Sequence, residues 1–197
     1  KDGYTHINLF IAHRDVIEDY IKIFRKLNVK NYSLFLSSVG LLNLYYTVNP
    51  QIKSSAILIE IDADQVEIAI VDKDNFFFSR SFKVSQYLPG WENVIVGEIN
   101  KTRNACLKET FYKDPGKIVI FGSPDNFQSL LEIVKKEIII PVEILPYWQR
   151  LSFSQVLLNQ VSGSSGSYAN LVGLGLKIIP ESLNLLPPEI RSQTRNS

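Results

Sequence analysis

The side chains of this sequence with the most direct claim to chemistry are few. His13-Arg14-Asp15 sets an imidazole beside a carboxylate, the start of a general acid–base pair. A nucleophile would have to come from elsewhere, and no Gly-x-Ser-x-Gly elbow occurs. Asp15 reads instead as a helix N-cap, with Glu18 three residues later as its capping-box partner. Cys106 is the single cysteine, which excludes an intramolecular disulfide and a cysteine-based zinc site. His6 and His13 are the only histidines, so a multi-histidine metal site is excluded too. The run Ser162-Gly163-Ser164-Ser165-Gly166-Ser167 lacks the Gly-Lys-Ser/Thr ending of a phosphate loop and reads as a surface loop.

The chain that must position these groups has 197 residues, with 21 Lys and Arg against 20 Asp and Glu, for a net charge of +1. Near-neutral charge removes the electrostatic case for a nucleic-acid binder. Hydrophobic residues make up 45% of the sequence, enough to bury a core and too many for a disordered chain. No apolar run reaches the length of a membrane span; the nearest, Val39 to Val48, is short and contains Asn43 and two tyrosines. The absence of methionine and of a signal peptide predicts an internal piece of a longer protein, or else a processed mature one.

The first fifty residues read strand, helix, strand, helix. Ile7 to Ala12 is an apolar run expected to be a buried strand. Val16, Ile17, Tyr20, Ile21, Phe24 and Leu27 follow at helical spacing. Asn28 to Asn31 turns the chain, and Tyr32 to Leu36 reads as a second strand. Ser37-Ser38 caps a helix from Val39 to about Thr47, ended by Asn49-Pro50.

The pattern then changes. Ala56 to Ile61, Val66 to Val71 and Phe76 to Val84 form three strands, joined by four-residue turns at 62–65 and 72–75 into an antiparallel meander. Phe76-Phe77-Phe78 leaves an outward phenylalanine, and Phe77 is either core under another element or part of an interface. A helix from Trp91 to Tyr112 carries Ile95, Ile99, Cys106 and Phe111 inward. Lys117 to Gly122 is a buried strand, and Asn126 to Lys136 an amphipathic helix. Ile138 to Ile144 is an edge strand or two short pieces because of Pro141. Leu151 to Leu158 reads as helix, and Tyr168 to Leu176 as a small-residue helix in which Ala169, Gly173 and Gly175 permit close packing. Pro180 begins an extended tail.

The order β-β-β-α-β-α-β-α is that of half an actin-like ATPase fold (ribonuclease H-like). Three stretches sharpen the likeness. Ser55 to Val71 resembles the second-lobe strand pair of the PilM family of type IV pilus assembly proteins. Phe78-Ser79-Arg80-Ser81-Phe82 resembles that family's third strand. Tyr168-Ala169-Asn170-Leu171-Val172-Gly173-Leu174-Gly175-Leu176 resembles its closing helix. Leu9 to Asp15 with its helix is similar to the end of the first-lobe insertion subdomain. The resemblance implies residues 1–50 as the end of that subdomain with a connecting helix, 51–179 as the second lobe, and 180–197 as a tail. The tail segment Ser182-Leu183-Asn184-Leu185-Leu186-Pro187-Pro188-Glu189 resembles the N-terminal segment of PilN, the bitopic membrane partner of PilM.

That resemblance implies a scaffold or adaptor at the cytoplasmic face of the inner membrane. Its partner would be a PilN-like bitopic protein or a fused equivalent, with self-association open. Asn184, Leu185, Leu186 and Pro187 would bind as an extended peptide, on a neighbouring copy or on an upstream lobe. The alternative is a surface tail. The family's second phosphate loop aligns with Glu60-Ile61-Asp62, and its adenosine loop with Phe121-Gly122-Ser123-Pro124. Glu60 could act on a metal. Asp62 stands where glycine is expected, adding charge beside a triphosphate at a cost on the order of 1 to 4 kcal/mol. Pro124 removes a backbone donor. The bland reading of the first loop is a hairpin turn with exposed acids. ATP with magnesium is thus a ligand only of a degenerate site comprising Glu60, Asp62, Gly122 and Ser123, and hydrolysis is not expected. Alternatives are a working actin-like ATPase, a cell-division or shape-determining actin homologue, and the cytoplasmic domain of the type II secretion protein GspL.

Overall fold

The structure, a computed structural model, describes residues 9–51, 54–72, 75–108, 114–122, 124–161, 167–176 and 179–195. In chain order the elements are α1 (Arg14–Lys26), α2 (Ser37–Val48), β1 (Ala56–Asp62), β2 (Gln65–Asp72), β3 (Asn75–Lys83), α3 (Trp91–Leu107), β4 (Lys117–Phe121), α4 (Pro124–Glu137), β5 (Val142–Leu145), α5 (Gln155–Val161), α6 (Ala169–Leu176) and α7 (Pro188–Arg195). Single 3-10 turns lie at Tyr147–Gln149 and Glu181–Leu183. They form two compact units, one from the described parts of residues 1–36 and 178–197, the other from residues 37–177. These boundaries differ from the expected ones at 50/51 and 179/180, because α2 packs with the sheet and the tail packs with α1.

The larger unit is built on one five-stranded sheet in the order β3-β2-β1-β4-β5. β1 pairs parallel with β4, and β4 parallel with β5, while β2 runs antiparallel to both β1 and β3. The sheet is mixed, with the meander at one edge, as expected for the half-fold. The period of two along each strand divides the side chains between two cores. Ile57, Ile59, Ile61, Val66, Ile68, Ile70, Ile118 and Ile120 pack against α3 and α4. Ala56, Leu58, Ala69, Val71, Val119 and Phe121 pack against α2 and the start of α6. Each isoleucine so buried contributes roughly 1.5–3 kcal/mol.

The strand expectations at 56–61, 66–71 and 76–84 stand to within a residue. The first hairpin is tighter than expected: Asp62 pairs with Gln65, leaving a two-residue turn in which Ala63 has φ 52. Residues 73 and 74 of the second turn lie outside the described residues. Phe77 is the inserted residue of a bulge opposite Ile70 and Val71, and it packs on the α3/α4 core. Phe78 is the more outward ring. Ile95, Ile99 and Cys106 are buried on α3 as expected, and Phe111 lies outside the described residues. Leu151 to Ser154 is not helical; the helix there starts at Gln155, where Ser154 Oγ accepts from the Leu157 amide.

α2 and α6 touch backbone to backbone. A methyl group on Gly40 would sit 2.1 Å from the Asn170 carbonyl oxygen, and one on Gly173 would sit 1.8 Å from the Gly40 carbonyl oxygen. Gly175 meets nothing within 4 Å, so the close-packing role expected of it falls to Gly173 and Ala169.

The smaller unit departs most from expectation. Residues 9–12, expected as a buried strand, are neither extended into a sheet nor buried: Leu9 is 77% and Ile11 80% exposed. Asp15 is not the N-cap; α1 starts two residues earlier, with His13 at that position and Arg14 bonded to Glu18 at 2.8 Å. α1 ends in a Schellman arrangement, with Asn28 at φ 53 and the Val29 amide donating to Phe24 O at 2.9 Å. Tyr32–Leu36 forms no strand ladder. The tail is not extended throughout, since Pro188 opens α7 at the first helical position, where a missing N–H costs nothing.

Candidate functional site

Two sites can be built, one in each unit. The first grows from the alternation along β1 and β2. Glu60 and Asp62 share the sheet face of Ala56 and Leu58, and Glu67 stands opposite Glu60 in the antiparallel register. Glu60 is only 2% exposed, while Asp62 and Glu67 are half-buried.

The carboxylates are held by helix N-termini. Glu60 Oε1 accepts from Ser167 Oγ at 2.8 Å and from the Asn170 amide at 3.1 Å. Asp62 Oδ1 accepts from the Ser167 amide at 3.1 Å. Glu60 therefore caps the first turn of α6, where unpaired N–H groups and the helix dipole favour a negative partner, while Asp62 holds the chain just before it. Glu67 accepts from Ser37 Oγ at the start of α2. Desolvation pushes the Glu60 carboxyl up to about 7, against the pull of Ser167 and Asn170. Burial raises Glu67 as well, opposed by Ser37 and Ser38. Gln65, Ser81 and Asn170 complete a cleft of about 250 Å³ around the acids.

Behind this cleft, Tyr147 OH accepts from the Tyr168 amide at 3.3 Å, and its phenol is driven upward by burial. Trp148 packs against Tyr147, Phe153 and Tyr168, locking the chain that leads into α6.

Gly122 follows β4 with φ 145, and its amide donates to Leu145 O at 3.3 Å. The Phe127 ring lies 2.4 Å from where a side chain on Gly122 would begin. That ring occupies the approach a ligand would need to the glycine backbone. Ser123 lies outside the described residues. The residues present do not fit magnesium and a triphosphate. Glu60 is engaged with α6 and Asp62 with the Ser167 amide before it, burial pushes Glu60 toward its neutral form, and Gly122 is covered by an aromatic ring. Among the described residues no group of three or more His, Cys, Asp or Glu is arranged to hold a metal. The acids do not form the exposed hairpin turn expected as the bland alternative. Their capping role is hidden in the sequence because Asn170 lies 110 residues away.

The second site lies in the smaller unit. Asn184, 5% exposed, takes two amides on its Oδ1: Leu34 N at 3.2 Å and Leu186 N at 3.1 Å. The Leu185 amide donates to Leu34 O at 2.8 Å. Leu186 is buried against Ile17 and Ile21 of α1, and Leu185 is half-buried beside it. Arg191 Nε donates to Leu186 O at 2.6 Å, and its second nitrogen reaches Asn184 O. Pro187 O accepts from the Ile190 and Arg191 amides, starting α7. The surface that receives Asn184 to Pro187 is the chain's own α1 and residues 32–36, where a neighbouring copy or an upstream lobe was expected. Residues 32–36, expected as a strand, are that segment's pairing partner. Arg191 was missed in the sequence, although its helical spacing from Pro187 placed it within reach.

No family model matches the sequence, and no curated protein matches it. Among solved structures, the chain is similar to a Bacteroides thetaiotaomicron protein with actin-like ATPase fold and unknown function, at 16% identity and a TM-score of 0.42 over 55% of this chain and 39% of that one. It is similar to the PilM-PilN type IV pilus biogenesis complex at 14% identity and a TM-score of 0.47, over 70% of this chain and 50% of that one. It is similar to the Ppx/GppA phosphatase of Aquifex aeolicus, type II variant, at 10% identity and a TM-score of 0.35, over 71% of this chain and 57% of that one. The chain thus spans between 39% and 57% of the length of these three.

Proposed function

We propose that this chain is part of an actin-like scaffold that binds an extended Asn-Leu-Leu-Pro peptide and does not turn over ATP. The observation that carries the reading is Asn184. Its side chain bridges the amides of Leu34 and Leu186, as a peptide-recognition side chain does, while Leu186 fills an apolar site on α1. The commitment of Glu60 to α6 and of Asp62 to the Ser167 amide supports the second half. The partner is then a PilN-like bitopic membrane protein, or the same segment supplied in cis, and the scaffold works at the cytoplasmic face of the inner membrane of a pilus or related secretion platform. No helix among the described residues is long and apolar enough to cross a membrane.

The test uses the full chain with Leu186→Asp, which displaces the resident segment. A labelled peptide of residues 182–191 is titrated against this variant and against the parent. The peptide binds the variant, fails to bind the parent, and loses binding when it carries Leu186→Asp itself. Equal binding to variant and parent defeats the reading, as does no binding to a variant whose α1 amides remain protected from exchange. Calorimetry with magnesium-ATP tests the rest: binding tighter than about 10 µM, roughly −7 kcal/mol, contradicts it.

A further inference from the structure

We propose that α1 pairs with α1 of a second copy of this chain, antiparallel, through a face that the tail leaves uncovered. α1 has two apolar faces. Ile17 and Ile21 are buried against Leu186. Val16, Tyr20, Ile23 and Leu27 lie on the adjoining face, 49%, 50%, 50% and 67% exposed. Their spacing of four, three and four residues is that of a coiled-coil seam. An isolated exposed leucine means little, but three large apolar residues on one helix continued by a fourth at its C-cap, Leu27, form a patch that water does not favour.

The residues flanking the stripe choose the occupant. Asp19 and Lys26 lie along one edge, and both are exposed. An antiparallel pair centred between Ile21 and Lys22 sets Tyr20 against Ile23 of the partner subunit and Val16 against Leu27 of the partner subunit. The same register brings Asp19 beside the partner's Lys26, and Lys26 beside the partner's Asp19. Both contacts are of opposite charge, so the surface is complementary to itself, as a two-fold interface must be. A parallel pair would set Asp19 and Lys26 against neither charge, because Phe24 occupies the other edge. The Asp19–Lys22 bond at 2.8 Å within the helix is exposed on both sides, so it competes only weakly.

An anionic membrane is the other surface an amphipathic helix could meet. The polar side of α1 argues for the second copy, since it is mixed in charge, with Asp15, Glu18 and Asp19 in the first half and Lys22, Arg25 and Lys26 in the second, an order that an antiparallel copy complements. A helix that docks on anionic lipid is basic there.

The experiment is a charge exchange on the full chain, read by sedimentation velocity over a concentration series. Asp19→Lys and Lys26→Asp each weaken self-association, by roughly fivefold for the two exposed ion pairs removed. Mixing the two variants restores it, because the hetero-pair regains both contacts, and the double variant Asp19→Lys/Lys26→Asp recovers it as well. Neither exchange touches a buried residue, so circular dichroism of all three matches the parent. In a Cys106→Ser background, Tyr20→Cys and Ile23→Cys chains cross-link with each other in preference to themselves. A parent that stays monomeric at millimolar concentration overturns the proposal. So does a mixture that associates no better than its components, or association that appears only on phosphatidylglycerol vesicles.

Discussion

Glu60 and Glu67 stand directly opposite each other on β1 and β2, and each carboxylate is held at the start of a different helix, Glu60 at α6 and Glu67 at α2. Those two helices in turn touch through Gly40 and Gly173. The buried acid pair, the helix ends and the glycine contact form one connected arrangement, and its parts can be disturbed separately.

Glu60 makes stability depend on pH. Its carboxyl titrates at about 7 in the fold against 4.5 in the unfolded chain, because burial penalises the charged form. The native state holds that proton more tightly, so the contribution of Glu60 to stability is fully present below pH 4.5 and is lost as pH rises through 7, by about 3 kcal/mol. Glu67 adds a slope of the same sign. Glu60→Gln keeps an acceptor for Ser167 and Asn170 and removes the ionisation. Thermal melts at pH 5 and pH 8 should shift less for the variant than for the parent, with the variant the more stable at pH 8. An identical shift in both proteins would mean that Glu60 is not the titrating group.

The α2–α6 contact tolerates no side chain. Gly40→Ala and Gly173→Ala should each cost about 2–3 kcal/mol in urea unfolding, because backbone lies where the methyl must go. Gly97, inside α3 with nothing within 4 Å, is the control. Gly97→Ala should stabilise, by up to about 1 kcal/mol, through helix propensity alone. Equal responses at the three positions would remove the steric account.

Gly122 and Phe127 are coupled. Gly122→Ala meets both the Phe127 ring and a φ of 145, and should cost about 1–3 kcal/mol. Phe127→Leu opens room beside it. The double variant should therefore lose less than the sum of the two single losses, as measured by a double-mutant cycle in denaturant. Strict additivity would show that the ring and the glycine do not constrain each other.

The tail holds the smaller unit. Asn184→Ala leaves the Leu34 and Leu186 amides without their acceptor, at about 1–3 kcal/mol. Leu186→Ala removes a fully buried side chain, at about 2–5 kcal/mol. Amide exchange should quicken at Leu34, Leu185 and α1 while the sheet amides of residues 57–61 keep their protection. Protection lost equally in both regions would contradict the division of the chain into two units.

The sheet and its helices are legible in the residue pattern. Alternation in β1 and β2, turn formers at 62–65 and 72–75, and apolar helix faces on α3 and α4 are local signals that the tertiary fold reinforces. The smaller unit is not legible to the same degree. The run at 7–12 reads as a strand because it is apolar, yet a strand needs a ladder to join, and the described residues 9–12 belong to no strand of the sheet. Tyr32–Leu36 meets a partner about 150 residues away, the tail, and pairs with it through a side chain as well as backbone. The sequence by itself determined that Glu60 and Asp62 share one sheet face, since a period of two along one strand leaves no choice, and the hairpin register adds Glu67 to it. Only the tertiary structure decided what that face meets. The first turn of α6 arrives there from 110 residues along the chain, and a buried carboxylate takes the nearest unpaired amides rather than remain without a partner.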